Sequence, residues 1–202
     1  MRNPLIITIG REYGSGGRQI GELVAKTLGI AYYDKKLITL AAQKSGLSDE
    51  FIANNEQRVR SGFMQNLAAS AAYSSGFFSS QYLPLSESIF ISEAQVIRDI
   101  AAKESAVIVG RCADYILRDR KDCLHVFICS DMASRARRIV ERYGQTQKAP
   151  EKRLAEKDQK RKVYYKNYTG RVWGQAQNYD ICLNSGALGV DTCTDMIVQL
   201  CK

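Results

Sequence analysis

The chain of 202 residues has one histidine, one tryptophan and three prolines. Each scarcity narrows the function. His125 has no partner set for a Ser-His-Asp or Cys-His system, so acyl transfer by such a triad is disfavoured and the residue reads as structural. The six cysteines, Cys112, Cys123, Cys129, Cys182, Cys193 and Cys201, are scattered through apolar segments without a C-x-x-C pair, which argues against structural zinc. The first apolar run is about six residues without a cleavable signal pattern, and no run approaches the ~20 residues of a membrane span. With cysteines that look reduced, the expectation is a cytoplasmic protein with no membrane partner. Internal repeats and interdomain linkers are also missing, so a single domain over 1–202 is expected.

The most telling absence is a single ammonium group. Ile6-Ile7-Thr8-Ile9-Gly10-Arg11-Glu12-Tyr13-Gly14-Ser15-Gly16-Gly17-Arg18 is a β-branched run entering a glycine-rich turn, which opens a helical pattern over Gln19–Leu28. Such a turn lets backbone N–H groups approach an anion, and the helix adds unpaired donors and its positive dipole end. Gly10, Arg11, Gly14, Ser15, Gly16, Gly17, Arg18 and Gln19 form the expected phosphate cradle. The usual signature, G-x-x-x-x-G-K-[ST], uses its lysine on the β- and γ-phosphates and its hydroxyl on magnesium. Here Gly17 stands at the lysine position and Gln19 at the hydroxyl position. Arg18 or Arg11 is left to supply the cation, as a planar fork instead of a point charge. Ser15 is the nearest loop hydroxyl for a metal, one turn position early. The alternative is a glycine-rich strand-to-helix turn that holds nothing.

Net charge is +8, and Ser134 to Arg171 carries thirteen Lys/Arg against four Asp/Glu, so the positive charge is one local feature. That cluster neutralises nucleotide phosphates, binds nucleic acid, or solvates a helix face. Short apolar runs at Ala31-Tyr32-Tyr33, Ala106 to Gly110, Leu124 to Cys129 and Tyr179 to Asn184 alternate with helical patterns at Lys35–Lys44, Ile89–Lys103, Met132–Tyr143, Ala149–Tyr168 and Val190–Leu200. This order indicates an α/β fold, a three-layer doubly wound parallel sheet covered on both faces. Ligands of such sheets sit beyond the carboxyl ends of the strands, where the glycine turn, Asp34, Arg111 and Asn184 fall. The Ala/Ser/aromatic segment 45–88 breaks the rhythm and reads as a helical insertion with a mobile loop over Ser74 to Pro84, used for packing, for a homodimer contact, or for substrate.

Taken together, the glycine loop, Tyr33-Asp34-Lys35-Lys36, Val109-Gly110-Arg111, Gly110-Arg111-Cys112-Ala113-Asp114-Tyr115 and Tyr164-Tyr165-Lys166-Asn167-Tyr168-Thr169-Gly170 resemble the cytidylate kinase-like branch of the P-loop nucleoside monophosphate kinases over almost the whole length. The resemblance implies a P-loop kinase-type fold, a monophosphate-binding insertion at 45–88 and a basic lid at 148–172. It implies that Asp34 lies near the acceptor nucleotide, that Arg111 meets the acceptor phosphate and that Asp114 reads a cytosine edge. The family has Gly-Arg-Asp where this chain has Gly110-Arg111-Cys112, which leaves the base open. Arg153, Lys157, Lys160 and Arg161 are the expected lid cations, spaced to share a helix face and stabilise developing charge together with Arg18 and Arg111. Arg135, Arg137 and Arg138 read as a solvated face of the preceding helix. Tyr164, Tyr165, Tyr168 and Trp173 stack on a base or pack inside.

The implied activity is transfer of the ATP γ-phosphoryl group, with magnesium, to a nucleoside monophosphate, CMP first. A weakly catalytic nucleotide sensor or scaffold, or a kinase of another small molecule, stays open beside it. A nucleic-acid surface is the least supported reading, since no recognised nucleic-acid motif accompanies the basic segment.

Overall fold

A computed structural model describes residues 5–34, 40 and 85–201. The chain divides into two compact units, Met1–Asp34 with Ile97–Lys202, and Lys35–Val96. The loop over Ser74 to Pro84, nearly all of the 45–88 insertion, and the Lys35–Lys44 helix apart from the helical Leu40 lie outside the described residues.

Five strands, β1 (Ile6–Arg11), β2 (Ala31–Tyr33), β3 (Ala106–Val109), β4 (Cys123–Cys129) and β5 (Ile181–Asn184), form one sheet in the order β2-β3-β1-β4-β5. Every pairing is parallel, with Ile7 opposite both Val107 and Leu124. A parallel sheet is apolar on both faces, and the adjacent residues Ile6 and Ile7, whose side chains point to opposite faces, are both fully buried. Among the described residues the helices are α1 (Gly17–Leu28), α2 (Leu85–Lys103), α3 (Ala113–Ile116), α4 (Met132–Tyr143), α5 (Pro150–Thr169), α6 (Ser185–Leu188) and α7 (Val190–Leu200). Ile20 and Val24, one turn apart on α1, join Cys193 and Ile197 of α7 against Ile7, Ile9, Val107, Val109, Val126, Ile128 and Leu183 in the main core.

The ends of the long helices follow their sequence. Asp131 caps α4, its carboxylate accepting the Ser134 N–H at 2.8 Å. Pro150 opens α5 and Gly170 closes it. His125 sits in β4, its Nδ1 2.8 Å from Thr8 Oγ1 and its backbone N–H donating to Asp180, and burial pushes its imidazole below the ordinary value. No helix among the described residues is long and apolar enough to cross a membrane.

Candidate phosphate-binding site

β1 ends at Arg11, and the chain turns through Glu12 to Gly16 before α1 begins. Gly14 and Gly16 both take φ 79°, and a Cβ on Gly14 would stand 3.0 Å from the Arg135 carbonyl oxygen. A side chain at Gly14 is therefore strained twice, by its backbone and by its neighbour. Gly16 caps α1 without any side-chain hydrogen bond. The Ile20 N–H returns to the Gly16 carbonyl, but no acceptor among the described residues takes the N–H groups of Gly16, Gly17, Arg18 and Gln19. Four donors at the positive end of a twelve-residue helix thus face a cleft of about 190 Å³.

The missing lysine has a steric cause. A Cβ on Gly17 would lie 2.6 Å from Arg11 Cβ and 3.3 Å from Ile128 Cβ. The Arg11 stem therefore occupies the space a side chain at position 17 needs. Its guanidinium passes over Gly110, where a Cβ would overlap it, and reaches Asp34 at 3.9 Å. Arg18 meets the other Asp34 oxygen at 3.2 Å and Glu22 at 3.3 Å. Burial pushes Arg11 below its ordinary value, Arg111 and Arg18 add to that, and Asp34 opposes it.

Helices α4 and α5 supply the second wall. Arg135, Arg138 and Arg142 recur at helical spacing and turn toward the loop, whereas Arg137 is 73% exposed. The expectation of a solvated face is thus corrected for Arg135 and Arg138. Arg138 donates to the Gly14 carbonyl at 2.7 Å, and Arg142 approaches Gln19 Oε1 at 3.5 Å. Arg135 is buried, bridging Glu12 at 3.0 Å and Asp158 at 2.8 Å. Asp158 in turn accepts the Tyr13 N–H at 2.7 Å, and burial pushes its carboxyl up against these bonds. Arg161 donates to the Arg11 carbonyl at 3.0 Å and lies over the Tyr13 ring. Burial first, then Arg11, push its guanidinium down to about 9. The α5 helix is therefore fastened directly to the phosphate loop.

Among the expected lid residues only Arg161 lines the cleft. The inward face of α5 carries Leu154, Asp158, Arg161 and Tyr165. Steps of four residues drift about 40° around a helix, so Arg153 and Lys157 fall to the side of that face. Arg153 donates to the Gly144 carbonyl at 3.2 Å, and Lys157 is exposed. Arg111 and Cys112 follow Gly110 in a run of left-handed residues, at φ 58° and 55°. Two consecutive non-glycine residues in that region store strain at the end of β3, a form common at functional turns. Asp114 does not line the cleft. It is buried, it accepts the Tyr165 hydroxyl at 2.6 Å, and burial pushes its carboxyl up.

Of the aromatic candidates, Tyr164 and Tyr168 pack on each other at 4.7 Å and Trp173 sets its edge on Phe127 at 5.4 Å. The aromatic residues that do line the cleft are Tyr13 and Tyr143, stacked 6.3 Å apart, which the sequence reading did not single out. Ser15 is fully buried and its hydroxyl donates to the Glu12 carbonyl at 2.9 Å. Asn184 caps α6 through its side-chain oxygen. No group of three His, Cys, Asp or Glu able to hold a metal exists among the described residues.

The arrangement can hold a polyanion between amide donors and guanidinium groups. A family model described as the cytidylate kinase-like family matches residues 6–187. An uncharacterised protein from Eubacterium ventriosum has a solved structure 31% identical to the chain, covering 98% of each, with a TM-score of 0.71. A gluconokinase from Sinorhizobium meliloti, 16% identical over 100% of this chain and 95% of its own, superposes with a TM-score of 0.55. A shikimate kinase from Acinetobacter baumannii, solved with shikimate, is 15% identical over 98% of this chain and 92% of its own, with a TM-score of 0.53. These last two show the fold alone. No curated protein matches the sequence.

Proposed function

The chain belongs to the cytidylate kinase-like family, and from that premise we propose that it transfers the γ-phosphoryl group of ATP to a nucleoside monophosphate, with CMP the first candidate. The coarser statement, a kinase-like phosphotransferase, follows from the family and the P-loop kinase fold. One observation carries the finer reading. The cleft at the free loop amides is lined by Arg11, Arg18, Arg138, Arg142 and Arg161, while its carboxylates, Glu12 and Asp34, are already engaged by cations and an amide.

That balance suits an acceptor that is itself a phosphate. A phosphate oxygen attacks the γ-phosphorus as an anion, the bond to the bridging oxygen breaks, and ADP departs with the electron pair. No proton has to be removed. A hydroxyl acceptor would need a general base, and no uncommitted carboxylate lines the cleft among the described residues. Phosphoryl transfer otherwise depends on positioning and on charge placed around the equatorial oxygens. In this scheme the amides of Gly16 to Gln19 and Arg138 hold the donor tail, Arg161 and Arg18 meet the developing charge, and Arg111 on its strained turn orients the acceptor. Asp34 keeps Arg11 and Arg18 in place. Arg153 and Lys157 are given no direct contact. Asp114 fixes Tyr165 and so the α5 end. No group of three His, Cys, Asp or Glu among the described residues would hold a magnesium ion beside the ATP.

Mixing ATP and CMP with the protein is expected to yield ADP and CDP in equal amounts by chromatography. Arg111→Ala is expected to lower turnover by about a hundredfold or more. Absence of ADP with any monophosphate overturns the kinase reading. A second reading, a nucleotide sensor with little turnover, is favoured by the lost lysine and by the committed Ser15 hydroxyl. Tight ATP binding without product identifies it.

A further inference from the structure

Building on the nucleotide reading above, we infer that the cleft binds the polyphosphate tail of its nucleotide without a metal ion, guanidinium groups occupying the role that magnesium has in other phosphate loops.

A divalent cation at such a loop needs hard oxygen donors, above all the loop hydroxyl and a nearby carboxylate. On the described part of this chain the carboxylates beside the loop are already engaged, and the unpartnered hydroxyl there, Ser130 Oγ, is buried with no free carboxylate next to it. Neither residue after the lysine position offers a hydroxyl: Arg18 follows it directly, and the Gln19 Oε1 lies 3.5 Å from Arg142. The Ser15 hydroxyl is fully buried and donates to the Glu12 carbonyl. Glu12 accepts from the Ser130 N–H and from Arg135, both at 3.0 Å. Asp34 sits between Arg18 and Arg11. The strand ends offer no replacement. β3 is followed by Gly110-Arg111, and the next carboxylate, Asp114, is buried on Tyr165. β4 is followed by Ser130, whose hydroxyl alone does not make a site, and by Asp131, which caps α4.

The charge points the same way. Five guanidinium groups and two carboxylates line the cleft, a surplus of positive charge that repels a bare divalent cation and attracts a triphosphate carrying about four negative charges. Burial is the first cause of the depressed Arg161 guanidinium, the positive Arg11 adds to it, and Asp158, Tyr13 and Asp34 oppose it, while Arg161 itself donates to the Arg11 carbonyl at 3.0 Å. An anionic ligand removes the repulsion that a metal would increase.

The test is isothermal titration of the whole protein with ATP, once in excess EDTA and once in excess magnesium. The two dissociation constants are expected to agree within about threefold, or to favour EDTA. Binding more than about threefold tighter with magnesium overturns the inference and leaves the nucleotide reading standing. Binding in neither buffer overturns both.

Discussion

Arg135→Ala is expected to destabilise the protein by about 3–5 kcal/mol, lowering the melting temperature by roughly 10 °C, and to weaken ATP binding at the same time. The size of the effect comes from what is left behind. Arg135 has 5% of its side chain exposed and bridges Glu12 on the phosphate loop at 3.0 Å and Asp158 on α5 at 2.8 Å, whereas the other cation near Asp158, Arg161, stands at 3.5 Å. Removing the guanidinium leaves two carboxylates facing a cavity, and the Asp158 bond to the Tyr13 N–H then has to be held by a repelled group. Lysine is a poor replacement, because a point ammonium does not span both carboxylates as a fork does. Arg137→Ala on the same helix, 73% exposed, is expected to change stability by less than about 0.5 kcal/mol. Thermal melts of the two variants separate a buried bracket from a solvated helix face. Equal, small effects contradict the bracket.

The second large effect concerns the restored lysine. Gly17→Lys puts a lysine back at that loop position, though without the hydroxyl residue after it, and is expected to cost about 1–3 kcal/mol of stability and to lower nucleotide affinity. A Cβ at 2.6 Å from Arg11 Cβ has no rotamer that relieves it, since both atoms are fixed to the backbone of β1 and α1. Combining it with Arg11→Gly removes the colliding atom. The double variant is therefore expected to be more stable than the sum of the single effects by about 0.5–3 kcal/mol, measured by denaturant unfolding as a double-mutant cycle. Additive losses, or a Gly17→Lys protein that binds ATP more tightly than the parent, contradict the exchange of one cation for the other.

Much of the sheet and its long helices was legible because period and punctuation agreed. α4 runs over Met132–Tyr143 and α7 over Val190–Leu200, the spans that the apolar spacing and flanking glycines indicate. α2 starts at Leu85 instead of Ile89, since its first turn is polar and carries no apolar period. The four-residue helices α3 and α6 gave no signal, because one turn is too short to repeat.

The site was legible in its backbone and less so in its side chains. Glycine spacing pointed to the turn where the α1 amides are left without acceptors, and the absent lysine pointed to Arg11, whose stem fills that space. Which arginines turn inward depends on helix phase relative to a partner element, and a basic stretch looks alike from every side. On α5 the inward face is identified by Leu154, Asp158 and Tyr165, so Arg161 belongs to it while Arg153 and Lys157 drift away. On α4, Ile139 sets the phase that carries Arg135 and Arg142 toward the loop. The buried acid Asp158, lying among lysines, was the available signal for a charged residue with a structural partner.

The central claim, that the amides at the start of α1 hold a polyphosphate, is most directly tested by recording backbone amide resonances of the nitrogen-labelled protein during titration with ATP. The largest shifts are expected at Gly16, Gly17, Arg18 and Gln19, saturating together with the affinity found by calorimetry. Saturable ATP binding that leaves those four resonances in place and moves others would contradict it.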